Sequence, residues 1–187
     1  MNTFDYLSVL LSIVVGLGLS RMLGNFGELV LQRAKVRFYW VPLVTAAIVF
    51  LAHVEFWWSA FGFREIPEWN FFSFILLLFV TIALYMMSVF VLPDPQGEAS
   101  VDLYAHYYSV RPWFFSTACL YLVLDICFDI LVDGEPFLDG VRLFQAAYVG
   151  LLTCAAATNR PRLHQSVAVL TLLLFLIQIT MLGLEIG

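Results

Sequence analysis

Six apolar runs, each close to the length that crosses a bilayer, constrain this chain more than any other feature of its sequence. A helix needs about 20 mainly apolar residues to span the hydrocarbon core. The runs cover residues about 5–25, 39–62, 71–92, 113–133, 141–158 and 166–185. The sequence is 62% hydrophobic and 12% charged, whereas soluble domains average about 45–50% apolar and about 25% charged residues. We therefore predict an all-α polytopic membrane protein, a bundle of about six transmembrane helices forming one domain over residues 1–187.

Lysine and arginine are distributed unevenly between the predicted loops. Most lie after the first, third or fifth run or at the same level, namely Arg21, Arg33, Lys35, Arg37, Arg111, Arg160 and Arg162. The opposite side holds only Arg64 and Arg142. Because cytoplasmic loops carry an excess of positive residues, we expect those three loops in the cytoplasm and both termini outside. Residues 1–5 lack the basic residues of a signal peptide, so we expect the first run to be retained as a span.

The longest predicted loop begins with the helix-breaking sequence PDPQG at residues 93–97. Ser100 then provides a cap for a helix over SVDLYAHYYSV. Much of that helix's surface would be apolar or aromatic, which favours a short helix lying in the membrane interface. A lid over a binding site is the alternative.

Small residues recur at every fourth position of the first run, at Ser8, Ser12, Gly16, Ser20 and Gly24. Residues four apart share one face of a helix, and membrane helices associate through close packing over small residues. The fifth run carries a matching stripe, at Ala146, Gly150, Cys154 and Thr158. The two stripes predict either a seam between the first and fifth helices or a homodimer built on the first helix.

Ionisable and amide side chains interrupt the second, fourth, fifth and sixth runs. They are His53, Glu55, Asp125, Asp129, Gln145 and Gln178. At about 1.5 Å per residue, the four ionisable groups lie about 18–24 Å from the predicted cytoplasmic start of their helices. The sequence therefore predicts one polar layer in the middle to outer half of the membrane. Such residues commonly mark a path for a substrate or an ion.

Tyr121, Asp125, Asp129 and Asp133 are each four residues apart and share one face of the fourth helix. Two stacked carboxylates in a low dielectric do not readily ionise together, so this column favours a path for protons or small cations. The alternative is a structural role, in which Asp133 pairs with Arg142 at the outer surface. Gln145 would then bond the other two carboxylates as a contact between helices.

Other charged residues of the spans are harder to place. His53 and Glu55 point about 200° apart on a helix, so we expect only one of them to face a narrow site, which disfavours a metal site made by this pair. Haem held by two histidines would need a second intramembrane histidine, and His106 and His164 fall in predicted cytoplasmic loops. Arg21 is expected to reach lipid headgroups or to cap its own helix. A gating salt bridge to a carboxylate is the alternative for Arg21.

Soluble-enzyme motifs such as GxSxG, HExxH and Walker A do not occur in the sequence. The net charge of -5 argues against nucleic acid as a partner, because no basic patch is available to neutralise phosphates. The sequence assigns no cofactor, no metal ligand and no catalytic residue. The expected partners are the lipid bilayer and either a second copy of the chain or a larger membrane complex.

Four segments carry a resemblance: SVLLSIVVGLGLSRML in the first run, FYW and FLAHVEFWW in the second, and VLPDP after the third. This combination is similar to a group of small multi-span bacterial inner-membrane proteins of unknown function. The resemblance covers roughly the first half of the chain. It implies a bacterial inner membrane and transfers no functional residue.

Two functions are open from the sequence. The first is a proton or small-cation transporter or channel that uses the polar layer of Asp125, Asp129, His53, Glu55 and Gln145. The second is a non-catalytic accessory or assembly subunit of a larger membrane complex. A third hypothesis, an intramembrane enzyme that acts on a lipid or a quinone, is disfavoured because no enzyme motif supports it.

Overall fold

The computed structural model describes residues 3–66, 68–97, 100–134 and 140–185. Within these residues, six helices are long and apolar enough to cross a membrane. They are α1 (Thr3–Leu31), α2 (Trp40–Ser59), α3 (Phe71–Val91), α4 (Leu103–Phe128), α5 (Gly140–Ala157) and α6 (Pro161–Glu185). Each predicted run corresponds to one helix. The prediction of an all-α, multi-pass bundle is therefore confirmed.

Short elements connect or extend the helices. Single 3₁₀ turns cover Arg33–Lys35 and Gly62–Glu65, and a π-helical turn over Asp129–Asp133 extends α4. Two strands of two residues each, β1 (Val36–Arg37) and β2 (Val101–Asp102), pair in parallel. No pattern in the sequence predicted this strand pair.

Contacts between helix termini show which termini lie together at each end of the bundle. At the N-terminal end, where α1 begins, the Phe4 and Trp69 ring centroids are 6.0 Å apart. Phe63 and Phe128 meet there as well, at 4.9 Å. The start of α3 and the ends of α2 and α4 therefore lie at this end. The opposite end, which we call the basic end, holds Arg21, Arg37 and Arg111 with their partners.

The segment after α3 is anchored at the basic end by polar contacts with α1 and β1. Asn25 Nδ2 donates to the Leu92 carbonyl at 3.2 Å in a buried contact. Arg37 Nη1 lies 2.9 Å from Asp102 Oδ2, beside the pairing of the two strands. A buried side-chain amide bonded to a carbonyl fixes the position of α1 relative to this segment.

Asp102, and not Ser100, is the N-cap that begins α4. Its carboxylate accepts hydrogen bonds from the backbone N–H groups of Tyr104 and Ala105, at 2.9 and 3.0 Å. The Ala105 N–H bond holds the pKa of this carboxyl below its ordinary value, and the Arg37 guanidinium acts in the same direction. The predicted interfacial helix is not a separate element, because α4 runs without a break through Pro112.

The buried face of α1 is a stripe of mostly large residues, and the small-residue stripe lies elsewhere on the helix. The stripe includes Phe4, Leu7, Leu11, Val15, Met22 and Leu29, and it packs mainly on α3 and less extensively on α2. Gly16 and Gly24 are exposed and would have no atom within 4 Å of an added Cβ. The predicted seam with α5 is therefore wrong. Ala146, Gly150 and Cys154 on α5 are exposed in the same way.

Gly18 is the small residue that α1 needs for its packing. An added Cβ there would lie 2.6 Å from His53 Nε2 and 3.2 Å from Ser88 Oγ. His53 is fully buried; its Nδ1 lies 2.8 Å from the Val49 carbonyl and its Nε2 lies 3.2 Å from Ser88 Oγ. Because the carbonyl can only accept, Nδ1–H donates to it and Nε2 accepts from the serine hydroxyl. A glycine is required where this ring approaches the α1 backbone.

Two glycines of the same helix provide a matched test of this packing. Gly18→Ala forces Cβ against a buried imidazole, and overpacking of this kind costs about 1–3 kcal/mol of unfolding free energy. Gly16→Ala meets open space, and the gain in helix propensity is worth up to about 1 kcal/mol. Thermal unfolding of both variants in detergent measures the difference. Equal melting temperatures would contradict the α1–α2–α3 packing described above.

Candidate functional site

A cavity of about 580 Å³ lies among α2, α4, α5 and α6. It reaches towards the N-terminal end, because Gly62, Asp129 and Gly140 are among its lining residues. Most of the lining is apolar, and the polar side chains converge from four helices. These polar residues are Glu55, Ser59, Tyr121, Asp125, Asp129, Arg142, Gln145, Tyr148, Thr171 and Gln178.

The first polar cluster joins α4 to the first turns of α5. Arg142 Nη1 donates to Asp129 Oδ2 at 2.6 Å and to Gln145 Oε1 at 2.7 Å. Gln145 Nε2 donates to Asp125 Oδ2 at 3.2 Å and contacts Asp129 Oδ2 at 3.4 Å. The guanidinium thus neutralises Asp129, whereas Asp125 is held by an amide alone.

The α-helical part of α4 ends where this cluster begins. The backbone N–H of Asp129 bonds to the carbonyls of both Asp125 and Ile126, and the π-helical turn follows. Gly134 ends the turn with φ 78°, a left-handed conformation that glycine adopts without strain. Single π turns in α-helices occur frequently at functional sites.

The second polar cluster joins α2, α5 and α6. Tyr148 Oη donates to Gln178 Oε1 at 3.0 Å, and Gln178 Nε2 donates to Glu55 Oε1 at 2.6 Å. In both clusters an amide NH₂ group faces a carboxylate oxygen. Ionised carboxylates only accept hydrogen bonds, so they match these donors.

The charges in the cavity do not balance. Of its lining residues in the described part of the chain, three are carboxylates and only Arg142 is a cation. Arg142 pairs with Asp129, which leaves Glu55 and Asp125 with neutral amide donors. A carboxylate in apolar surroundings takes up a proton or pairs with a cation, because its charge is otherwise poorly solvated. The cavity therefore has the chemistry to bind protons or cations.

The structure places the residues predicted for the ion path in two groups. Glu55, Asp125, Asp129 and Gln145 all line the cavity. His53 does not, since it packs between α1 and α3 against Gly18 and Ser88. The two-residue spacing of His53 and Glu55 does turn them to different sides of α2. The Asp133 side chain, which was predicted to pair with Arg142, lies outside the described residues.

Arg21 lies at the opposite end from the cavity. Its Nη2 is 3.2 Å from Asp94 Oδ2, and the two side chains are 43% and 39% exposed. Exposed ion pairs contribute about 0–1 kcal/mol. Arg21 therefore helps to join α1 to the segment after α3, and the structure places no carboxylate of the cavity beside it.

A third polar cluster, at the basic end, was not predicted. His164 is fully buried and lies inside α6, not in a loop. Its Nε2 donates to the Thr158 carbonyl at 2.8 Å, and its Nδ1 accepts from Tyr107 Oη at 2.9 Å. Arg111 also donates to the Thr158 carbonyl. A positive side chain and an imidazole thus cap the C-terminal end of α5, where the helix dipole favours them.

The spacing of polar residues along α5 and α6 could have predicted part of these clusters. Arg142, Gln145 and Tyr148 are three residues apart along α5, and His164, Thr171 and Gln178 are seven apart along α6. Both spacings keep side chains on one helix face. Among the polar residues missed from the predicted site, Tyr148 and Thr171 lie on these faces and could have been found from them, whereas Ser59 lies on α2 and could not.

Comparisons with known proteins gave no match: no family model, no curated protein and no solved structure is similar to the chain.

The Arg142–Asp129 pair is the part of the site that stability measurements test most clearly. Arg142→Met leaves a carboxylate without its cation. Breaking a buried pair costs about 3–5 kcal/mol. We expect about 2–3 kcal/mol here, because the Asp129 side chain keeps 23% of its exposure.

The double variant Asp129→Asn/Arg142→Met removes the unpaired charge and should recover at least half of that loss. Unfolding of the two single variants and the double variant in detergent completes the cycle. A double variant no more stable than Arg142→Met would contradict the pairing.

Proposed function

We propose that this chain carries protons or a small cation across the bilayer by way of the acidic cavity. The observation that supports this most is the convergence of Glu55, Asp125 and Asp129 on one cavity whose described lining includes a single cation, Arg142. If these carboxylates had only a structural role, we would expect each of them to have a cationic partner. Here two carboxylates from different helices have no cationic partner among the described residues, so a mobile cation or proton completes the site.

The orientation follows from the distribution of positive residues. Arg21, Arg37 and Arg111 make their contacts at the basic end, and Arg142 lies towards the other. Under the positive-inside rule the basic end faces the cytoplasm. The cavity then faces outwards and both termini lie outside. The resemblance to small bacterial membrane proteins favours the bacterial inner membrane as the location.

Buried contacts join the helices between the cavity and the basic end. Ala155 and Ala168 are buried to 0% and 4% exposure on α5 and α6, and neither lines the cavity. Nearer the basic end, Tyr107 and His164 form a hydrogen bond that joins α4 to α6. A transport cycle would require these contacts between α4, α5 and α6 to open while the cavity closes on the other side. Alternating access of this kind fits a transporter better than a permanently open channel.

Flux measurements with purified protein in liposomes test the proposal. A trapped pH-sensitive dye reports proton movement under an imposed pH gradient, and ⁸⁶Rb⁺ uptake reports a small cation. Wild-type protein should give flux above that of protein-free liposomes, and Asp125→Asn should reduce it at least tenfold. Asp94→Asn, which removes a carboxylate at the basic end, is the matched control and should keep the wild-type rate.

The second candidate function is that of an accessory subunit in a larger membrane complex or homo-oligomer. It is favoured by the outward position of both small-residue stripes, on α1 and on α5. Faces of this type pack closely against other membrane helices. Wild-type liposomes without proton or rubidium flux would contradict transport and leave this function as the better one.

A further inference from the structure

The geometry points to an organic cation as the species that the cavity binds, a substituted ammonium ion with an apolar body. This inference rests on the proposed function, because it takes the acidic cavity as the transport site and names the class of cargo. Four features of the cavity support an organic cation: its size, its aromatic walls, its two carboxylates without a cationic partner and one hydroxyl without a hydrogen-bond partner.

The cavity is larger than a proton or a bare ion needs. Its volume is about 580 Å³, and sites for small organic molecules measure about 300–1,000 Å³. Protein interiors are otherwise closely packed, with few voids larger than a water molecule. This cavity is partly open to the surroundings, and its size is consistent with a bound small organic molecule.

Aromatic rings form much of the wall. Each of the four surrounding helices contributes one phenylalanine, namely Phe56, Phe114, Phe144 and Phe175. Tyr121 and Tyr148 add two further rings. The face of an aromatic ring attracts a cation by about 0.5–2 kcal/mol, and more when water is excluded. The same rings bury apolar groups, so these walls favour a ligand that is both charged and hydrophobic.

The carboxylates leave room for a ligand's positive charge. Glu55 Oε1 and Asp125 Oδ2 accept from glutamine amides. In the described part of the chain, Glu55 Oε2 and Asp125 Oδ1 accept no hydrogen bond. No group of three or more His, Cys, Asp or Glu side chains among those residues is arranged to hold a metal ion. Two separate acceptors beside apolar walls suit an ammonium group better than a hard cation, which takes six or more oxygen ligands.

Thr171 gives an independent indication of a ligand. The residue is 9% exposed, its side chain lines the cavity from α6, and within the described residues its Oγ1 has no hydrogen-bond partner. A buried hydroxyl without a partner is costly. Thr171 lies seven residues, or about 10 Å along α6, from the Gln178 that holds Glu55. A polar group of a ligand that extends along the cavity from the carboxylates would satisfy this hydroxyl.

Phenethylammonium is a suitable probe, because two simpler molecules each lack one of its features. 2-Phenylethanol keeps the ring and has no charge, whereas methylammonium keeps the charge and has no ring. We expect tritiated phenethylammonium to bind the purified full chain in detergent, and both simpler molecules to compete at least tenfold more weakly. Equal competition by either one, or no phenethylammonium binding, would overturn the inference.

Variants locate the binding site. Asp125→Asn should weaken phenethylammonium binding at least tenfold, and Thr171→Val, which removes the hydroxyl at nearly constant volume, should weaken it severalfold. Asp94→Asn lies outside the cavity and should bind as wild type does. If Asp125→Asn fails to fold, Glu55→Gln tests the same charge from α2. Unchanged affinity in the folded cavity variants would overturn the inference.

The two proposals fail in different ways. Proton or rubidium flux that depends on Asp125, without phenethylammonium binding, would overturn the inference about the ligand and support the proposed function. Phenethylammonium binding that depends on Asp125, without uptake of protons, rubidium or tritiated phenethylammonium into liposomes, would support the ligand class and contradict transport.

Discussion

Holding three carboxylates in one cavity of an apolar helix bundle is the constraint on which the rest of this structure depends. Removing an ion from water costs several kcal/mol even after the protein relaxes. The bundle offsets this cost with hydrogen-bond donors from α5 and α6. Arg142 and Gln145 serve the two aspartates, and Gln178, itself bonded to Tyr148, serves Glu55. The same contacts join α2, α4, α5 and α6, so the site and the packing of these helices share one set of interactions.

The two fully buried histidines have structural roles, because each joins helices through contacts that lie outside the cavity. His53 fills the junction of α1, α2 and α3, where Gly18 allows its close approach. His164 holds the end of α5 against α4 and α6 at the basic end. In each ring one nitrogen donates to a carbonyl and the other accepts from a hydroxyl, which matches the neutral form of histidine. Neither histidine is among the residues that line the cavity.

The sequence predicted the helices, because they follow from length and apolar content. Phe71–Val91, for example, falls within one residue of its predicted bounds. The continuous α4 was missed because a proline usually ends a helix. Burial of Leu103 and Tyr107 in the bundle stabilises the first turns of α4 in spite of Pro112.

The partners of individual side chains could not be predicted from spacing alone. In lipid, hydrophobicity does not decide which face of α1 turns inwards. The face that packs on α3 carries large residues, and Gly18 is the position where close approach matters. Along α4, the π-helical turn from Asp129 changes the number of residues per turn. The four-residue spacing of the aspartates did not predict this turn.

The central claim is that the cavity admits cations and disfavours anions, and the labelling rate of one cysteine measures this most directly. Thr171→Cys places a thiol in the cavity wall, in a background where Cys119, Cys127 and Cys154 are replaced. Ala155→Cys, at a fully buried position outside the cavity, is the control. A positively charged methanethiosulfonate reagent should label Thr171→Cys at least tenfold faster than a negatively charged one, each relative to a free thiol. Equal rates for the two reagents, or no labelling beyond that of Ala155→Cys, would contradict the account.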